Sequence, residues 1–173
     1  MNGDYDRERG NPAVAACQVP VGTRFFDINL AFAGEQLQLR YGPTVRTYRA
    51  VSGGTSKKYK PIPKGRYWIQ PAELWSRGFM TNATLCIASL ASDLSCREMV
   101  EQHTSAWGDY RLTIHPYPGT NMGNRGGFFI HGGKTLDSAG CIDLAGSMNR
   151  FVADLESALG DRPATCYIDL EVR

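Results

Sequence analysis

The stretch from Phe128 to Leu144 leaves the chain little choice of local structure. Phe128, Phe129 and Ile130 form an apolar run too short for a helix, and it ends on His131. A polar loop rich in glycine follows, and Ile142 and Leu144 restart the apolar pattern after Cys141. The stretch reads as strand, loop, strand. The loop starts at a base, His131, and ends at a nucleophile, Cys141. A thiol is a weak nucleophile until an imidazole takes its proton, because the thiolate is the reactive species. Gly132, Gly133 and Gly140 let backbone approach a bound substrate or turn with positive φ. The amides around Gly140 and Cys141 are candidates to receive a developing oxyanion. The competing reading is an inert, buried cysteine, the commoner fate of that residue type. The glycines on both sides, the strand-end histidine and Ser138 just before the cysteine favour a catalytic pair.

Around this stretch the pattern is that of a mainly β (β-rich α+β) chain. Residues 1–22 read as an N-terminal arm with little structure of its own, and 23–173 as the catalytic unit. Strands are expected at Arg24–Asn29, Glu35–Tyr41 and Thr44–Val51, the last two forming a hairpin about Gly42 and Pro43. Leu37 and Leu39 alternate with Gln36, Gln38 and Arg40, as in a half-buried strand. Ser52–Lys60 is a loop, the prolines at 61 and 63 make a rigid entry, and a strand follows at Arg66–Ile69. Residues 72–107 lose the alternation and read as a partly helical insertion, either a cap over the cleft or an ordinary crossover. Tyr110–His115 is a further strand, and Gly123–Gly127 a flexible approach to the motif. Met148, Phe151, Val152, Leu155 and Leu159 make one apolar face of a C-terminal amphipathic helix. Ser147 is placed to cap its start and Gly160 to end it. A strand over Thr165–Val172 closes the chain. Many short antiparallel strands with one strong late helix imply a β-sandwich or barrel.

The chain has 173 residues and a net charge of +2, too small to argue for a nucleic-acid partner. No apolar run reaches the ~20 residues of a membrane span. The polar stretch at 1–10 lacks a signal peptide's apolar core, so export is expected to use a route that needs none, unless a signal has been removed. No Cys/His cluster has zinc-ligand spacing, and no cofactor or metal is expected. With Cys141 as nucleophile, Cys17, Cys86, Cys96 and Cys166 remain, and an oxidising compartment would permit two disulfides. Cys86–Cys96 would be a local bridge, and Cys17–Cys166 would tie the arm to the last strand. Four free thiols are the alternative, with Cys166 simply buried beside Ile168, Leu170 and Val172.

His131, Ser138, Gly140 and Cys141 together resemble the signature of the L,D-transpeptidases (YkuD-type catalytic domain): a histidine on one strand, then a Ser/Thr-His-Gly-Cys turn. Ala139 stands where that family has a second histidine, Asp143 where an asparagine is typical, and the loop from His131 to Cys141 is shorter than usual. With these departures the chain looks most like the type VI secretion effector branch, antibacterial toxins acting on peptidoglycan. Val51-Ser52-Gly53 and Pro61 to Tyr67 also match that branch. The resemblance covers roughly residues 35–172, densest at 126–144 and weak at 71–107.

The resemblance implies an L,D-transpeptidase-like β-sandwich or barrel that acts on peptidoglycan stem tetrapeptides, with Cys141 as nucleophile and His131 as general base. Hydrolysis gives L,D-carboxypeptidase activity, a D-amino acid gives exchange, and the amine of a second stem gives an L,D-transpeptidase cross-link. Ser138, Asp137, Asp143 or a backbone carbonyl are candidates to orient the imidazole. Arg125 and Lys134 flank the motif and, with Gly132 and Gly133, are the candidate substrate-binding residues; an arginine can grip a carboxylate with two parallel bonds. His103 carries no assigned role, and His115 reads as structural. The effector reading implies secretion, action in the target-cell periplasm, an immunity protein and a secretion-apparatus component as partners. The alternatives are a housekeeping cross-linking enzyme, a cysteine protease or amidase, and an inactive wall-binding module.

Overall fold

The computed structural model describes residues 24–54, 60–77, 86–87, 89–91, 93, 95–134, 138–163 and 166–173. The expected arm at 1–22, Cys17, Lys57 to Tyr59, Asp137 and Thr165 lie outside them.

Among the described residues nine strands form one curled mixed sheet. They are β1 (Arg24–Ala33), β2 (Gln36–Tyr41), β3 (Thr44–Arg49), β4 (Gly65–Ile69), β5 (Trp75–Ser76), β6 (Tyr110–Pro116), β7 (Phe128–His131), β8 (Ile142–Asp143) and β9 (Tyr167–Val172). The order across the sheet is β3-β2-β1-β9-β4-β6-β7-β8, and β5 pairs with β6 beside it. The helices α1 (Cys96–Trp107) and α2 (Met148–Leu159) accompany them among the described residues. No helix among the described residues is long and apolar enough to cross a membrane.

The mainly β reading holds, and so does the antiparallel opening of β1, β2 and β3. Not every pairing in the sheet is antiparallel. β9 lies between β1, to which it is parallel, and β4, to which it is antiparallel. β7 and β8 are parallel as well. Alternation marks a strand and its buried face, but a partner more than a hundred residues away leaves no local trace. β1 also runs four residues further than expected, and a register shift between Phe25 and Asn29 interrupts its pairing with β9.

Strand twist curls the sheet until its two ends meet. Val51, just past β3, bridges Asp143 of β8: each amide donates to the other's carbonyl, at 3.0 and 2.8 Å. Inside the curl, Ile28, Leu30, Leu37, Leu39, Tyr67, Ile69, Leu112, Ile130, Ile168 and Leu170 are essentially inaccessible to solvent. α2 closes that core with Met148, Phe151, Val152, Leu155 and Leu159, the apolar face expected from the sequence. Each such side chain contributes about 1.5–3 kcal/mol by leaving water. The Tyr48 ring meets Phe151 edge-on, with centroids 5.4 Å apart, and its hydroxyl donates to Asp154 at 2.7 Å, fixing the roll of the helix.

Ser147 does not cap α2. The chain enters the helix through a 3-10 turn at Ala145–Ser147, and Ser147 already has helical backbone angles without a side-chain capping bond. The capping function falls one turn earlier, where Asp143 Oδ1 accepts from the Ala145 amide at 2.8 Å. α1 lies within the expected insertion. Ser95 and Glu98 form a reciprocal capping box at its start, and a disulfide joins its first residue, Cys96, to Cys86. Cys166 has a buried thiol.

Candidate active site

The side-chain period of a strand sorts the residues of β6, β7 and β8 onto two faces. Leu112 pairs with Ile130, and Ile130 with Ile142, so these side chains share the inner face and belong to the core. Arg111 pairs with His131, and His131 with Asp143, which places all three on the other face. Cys141 precedes β8 by one residue and is two residues from Asp143, so it falls on that face too. Adjacent strands with a two-residue offset set the Cα atoms of His131 and Cys141 on the order of 8 Å apart, within reach of an imidazole and a thiol. The register of β7 and β8 thus sets His131 and Cys141 on one face.

The site is dry. Cys141, His131 and Ser138 are 3%, 4% and 6% exposed, and Asp143 is wholly buried. A buried carboxylate requires hydrogen bonds or a charged partner. Asp143 has the Ala145 amide, and its neighbour in register is His131. Ser138 does not address the imidazole: its hydroxyl donates to the Cys141 carbonyl at 2.8 Å and braces the turn that carries the thiol. Gly140 takes φ +111°, and a β-carbon there would strike the Arg125 guanidinium and the Phe128 ring. Glycine is needed at this position for both reasons.

Arg125 lies over that turn. Its Nη1 donates to the Pro61 carbonyl and its Nη2 to the Lys60 carbonyl, both at 2.7 Å, with the Ala139 carbonyl 3.5 Å from Nη2. The guanidinium sits 5.1 Å from the centre of the Phe128 ring. These contacts anchor the Gly123–Gly127 approach, expected to be flexible, near its middle.

The glycines after His131 serve contacts within the protein. A β-carbon on Gly132 would come 2.5 Å from Met148 Cβ and 2.6 Å from the Ala145 carbonyl; one on Gly133 would come 2.5 Å from the Ser105 carbonyl. The Lys134 amide donates to that same Ser105 carbonyl at 2.8 Å. Gly132, Gly133 and Lys134 line a shallow cavity of about 170 Å³ with Thr104, Asp109 and Asn149. The four residues assigned to substrate therefore separate: three border this cavity, and Arg125 stands over the cysteine turn.

Two neighbours of the pair carried no role in the sequence. Trp107, the last residue of α1, packs with its ring centroid 5.0 Å from that of His131 and 5.8 Å from that of Phe129. Ser52 accepts from the Ile62 amide at 2.8 Å and donates to the Gly140 carbonyl at 3.2 Å. The Val51-Ser52-Gly53 match pointed at Ser52, whereas nothing local marked Trp107. Arg111, beside His131, lies under the rings of Trp75, Trp107 and Phe129 at 4.8–5.8 Å. The remaining histidines lie elsewhere. His115 Nε2 is 2.6 Å from Glu73 Oε2 and its ring stacks on Trp68 at 4.1 Å, while His103 faces Trp75 at 6.1 Å. Among the described residues no group of three or more His, Cys, Asp or Glu could hold a metal ion.

The family model of the L,D-transpeptidase catalytic domain (YkuD) matches residues 28–156, well over half of the chain. The match starts inside β1 and ends in α2, so it takes in every strand of the site. Curated proteins give no match to the chain.

Proposed function

The chain belongs to the L,D-transpeptidase catalytic domain family, and from that premise we propose that it is an antibacterial effector acting on peptidoglycan stem tetrapeptides by cysteine acyl transfer. Modification of peptidoglycan peptides is the activity the family carries. The finer reading rests on one observation above the others: Cys141, His131 and Asp143 share one face of two neighbouring strands, all three buried.

In this reading His131 takes the proton of Cys141. The sulfur attacks the carbonyl of the third, L-centred residue of the stem, and the oxyanion is received by amides at the Gly140–Cys141 turn. The C–N bond breaks, the terminal D-amino acid leaves with the proton held by His131, and a thioester remains. Water or an amine then attacks the thioester and gives its proton to His131. The C–S bond breaks and the thiolate returns. Water yields L,D-carboxypeptidase activity; a D-amino acid yields exchange. Asp143 orients the imidazole and stabilises its charged form, as the third member of such triads does.

Ala139, Asp143 and the nine-residue spacing between His131 and Cys141 support the effector branch. An effector of this kind would be secreted, work in the periplasm of a target cell and be neutralised by an immunity protein. Loss or exchange of the terminal D-amino acid removes the donor stems on which wall cross-linking depends, which is how the reaction becomes toxic.

The test is incubation of purified disaccharide-tetrapeptides with and without D-methionine, followed by mass spectrometry, for the wild type and Cys141→Ala. Loss of terminal D-alanine, or its replacement by D-methionine, is expected with the wild type only. Unchanged muropeptides with both proteins would overturn the reading. Growth of a Gram-negative host expressing the chain in its periplasm tests the toxic role separately, with arrest expected for the wild type and none for Cys141→Ala.

A further inference from the structure

We propose that Arg125 is a positioning residue that acts through Cys141, holding the nucleophile's turn in place and presenting a fixed positive charge to its thiolate. The proposal builds on Cys141 being the nucleophile, as read above, but its test does not depend on the substrate. An arginine that grips a substrate carboxylate presents paired N–H groups to the cleft. Arg125 instead directs Nη1 and Nη2 into the protein, to the Pro61 and Lys60 carbonyls at 2.7 Å, with the Ala139 carbonyl at 3.5 Å. It thereby ties the 60–61 segment to the turn before Cys141. Gly140 is what lets the guanidinium lie so close, since any β-carbon there would collide with Nη2.

The charge has a second use. Burial pushes the Arg125 guanidinium below the usual arginine range, while the Tyr67 and Cys141 anions pull it back up. Such an attraction is reciprocal: a thiolate that stabilises a guanidinium is stabilised by it.

The experiment follows alkylation of Cys141 by iodoacetamide as a function of pH, with the modified peptide identified by mass spectrometry. Wild type, Arg125→Gln, Arg125→Lys and Ser52→Ala are compared. Removing a neighbouring opposite charge raises a thiol pKa by about 1 unit or more, so the profile of Arg125→Gln is expected to move up by that much. Arg125→Lys is expected to keep most of the wild-type profile. Ser52→Ala loosens the same turn without changing its charge, and its profile should stay in place. Coincident profiles for wild type and Arg125→Gln overturn the proposal, as does an equal shift in Arg125→Gln and Ser52→Ala. A raised KM for tetrapeptide with an unmoved alkylation profile also overturns it, in favour of a substrate clamp. The rate ratio of iodoacetate to iodoacetamide in the wild type gives a reading that needs no variant to fold. A ratio above that of a free thiol is expected, and a ratio at or below it overturns the proposal. A shifted profile in a protein that leaves tetrapeptides untouched would uphold the role of Arg125 while removing the function proposed above.

Discussion

His131 and Cys141 stand on neighbouring strands, yet the chain holds them by unlike means. The histidine side is secured by close packing. Trp107 lies against its ring, the helix end at Ser105 touches the backbone after it, and Met148 fills the space beside Gly132. The cysteine side is secured by hydrogen bonds: Ser138 to Cys141, Ser52 to Gly140, Arg125 to the carbonyls of Lys60 and Pro61, and the Val51–Asp143 bridge. Packing without slack fails abruptly when an atom is added. A set of hydrogen bonds fails by degrees as its members are removed. The histidine sits in the rigid support and the cysteine in the graded one.

Adding atoms to the packed side should do the most damage. Gly108 has φ +69°, and a β-carbon there would run into the Gly132 carbonyl. Gly108→Ala is expected to cost about 4 kcal/mol from backbone strain and overpacking together, and to reduce turnover at least ~100-fold through a misplaced imidazole; urea melts and muropeptide kinetics measure both. A mutant that keeps wild-type turnover would dismiss the claim that this side has no slack. Trp107→Ala removes a ring instead of adding an atom, with an expected loss of about 3 kcal/mol. The loss should show as a lower urea midpoint and, because His131 is the proposed base, as a fall in muropeptide turnover. Next comes the Cys86–Cys96 staple at the far end of α1. The Cys86→Ser/Cys96→Ser double variant should lose about 2–3 kcal/mol, with faster hydrogen exchange in α1 and none of that acceleration at β8. Equal acceleration in both regions would merge the two supports into one. Ser52→Ala should have the smallest effect, about 1–2 kcal/mol for two hydrogen bonds, visible as a lower thermal midpoint with the catalytic pair still competent.

The same contrast explains what could be read from the chain. The strands near the site and α2 announce themselves because their apolar residues recur at strand or helix period, and all five residues of the α2 face are buried. His131 and Cys141 stand out in the sequence because both lie in one local stretch, and the register of β7 and β8 sets them on one face. α1 was blurred because only Trp107 among its described side chains is buried, so the helix has almost no apolar stripe. Its better signal was the Ser95/Glu98 capping box, which the periodicity reading passed over. Gly132 and Gly133 invited a substrate reading because a glycine does not disclose what approaches it; here α1 and Met148 do. The central position of β9 and the parallel pairings depend on contacts between distant segments, and no window of sequence contains them.

The Val51–Asp143 bridge has a thermal consequence. It is the clasp of an otherwise open curl, and it grips β8, a strand of only two residues. Short edges open locally at far lower cost than core strands such as the ten-residue β1. The clasp should therefore slip while the barrel wall is intact, carrying the backbone of Asp143 away from Val51. The upper working temperature of this catalyst is then a property of its fastener, below the temperature at which the folded body itself is lost.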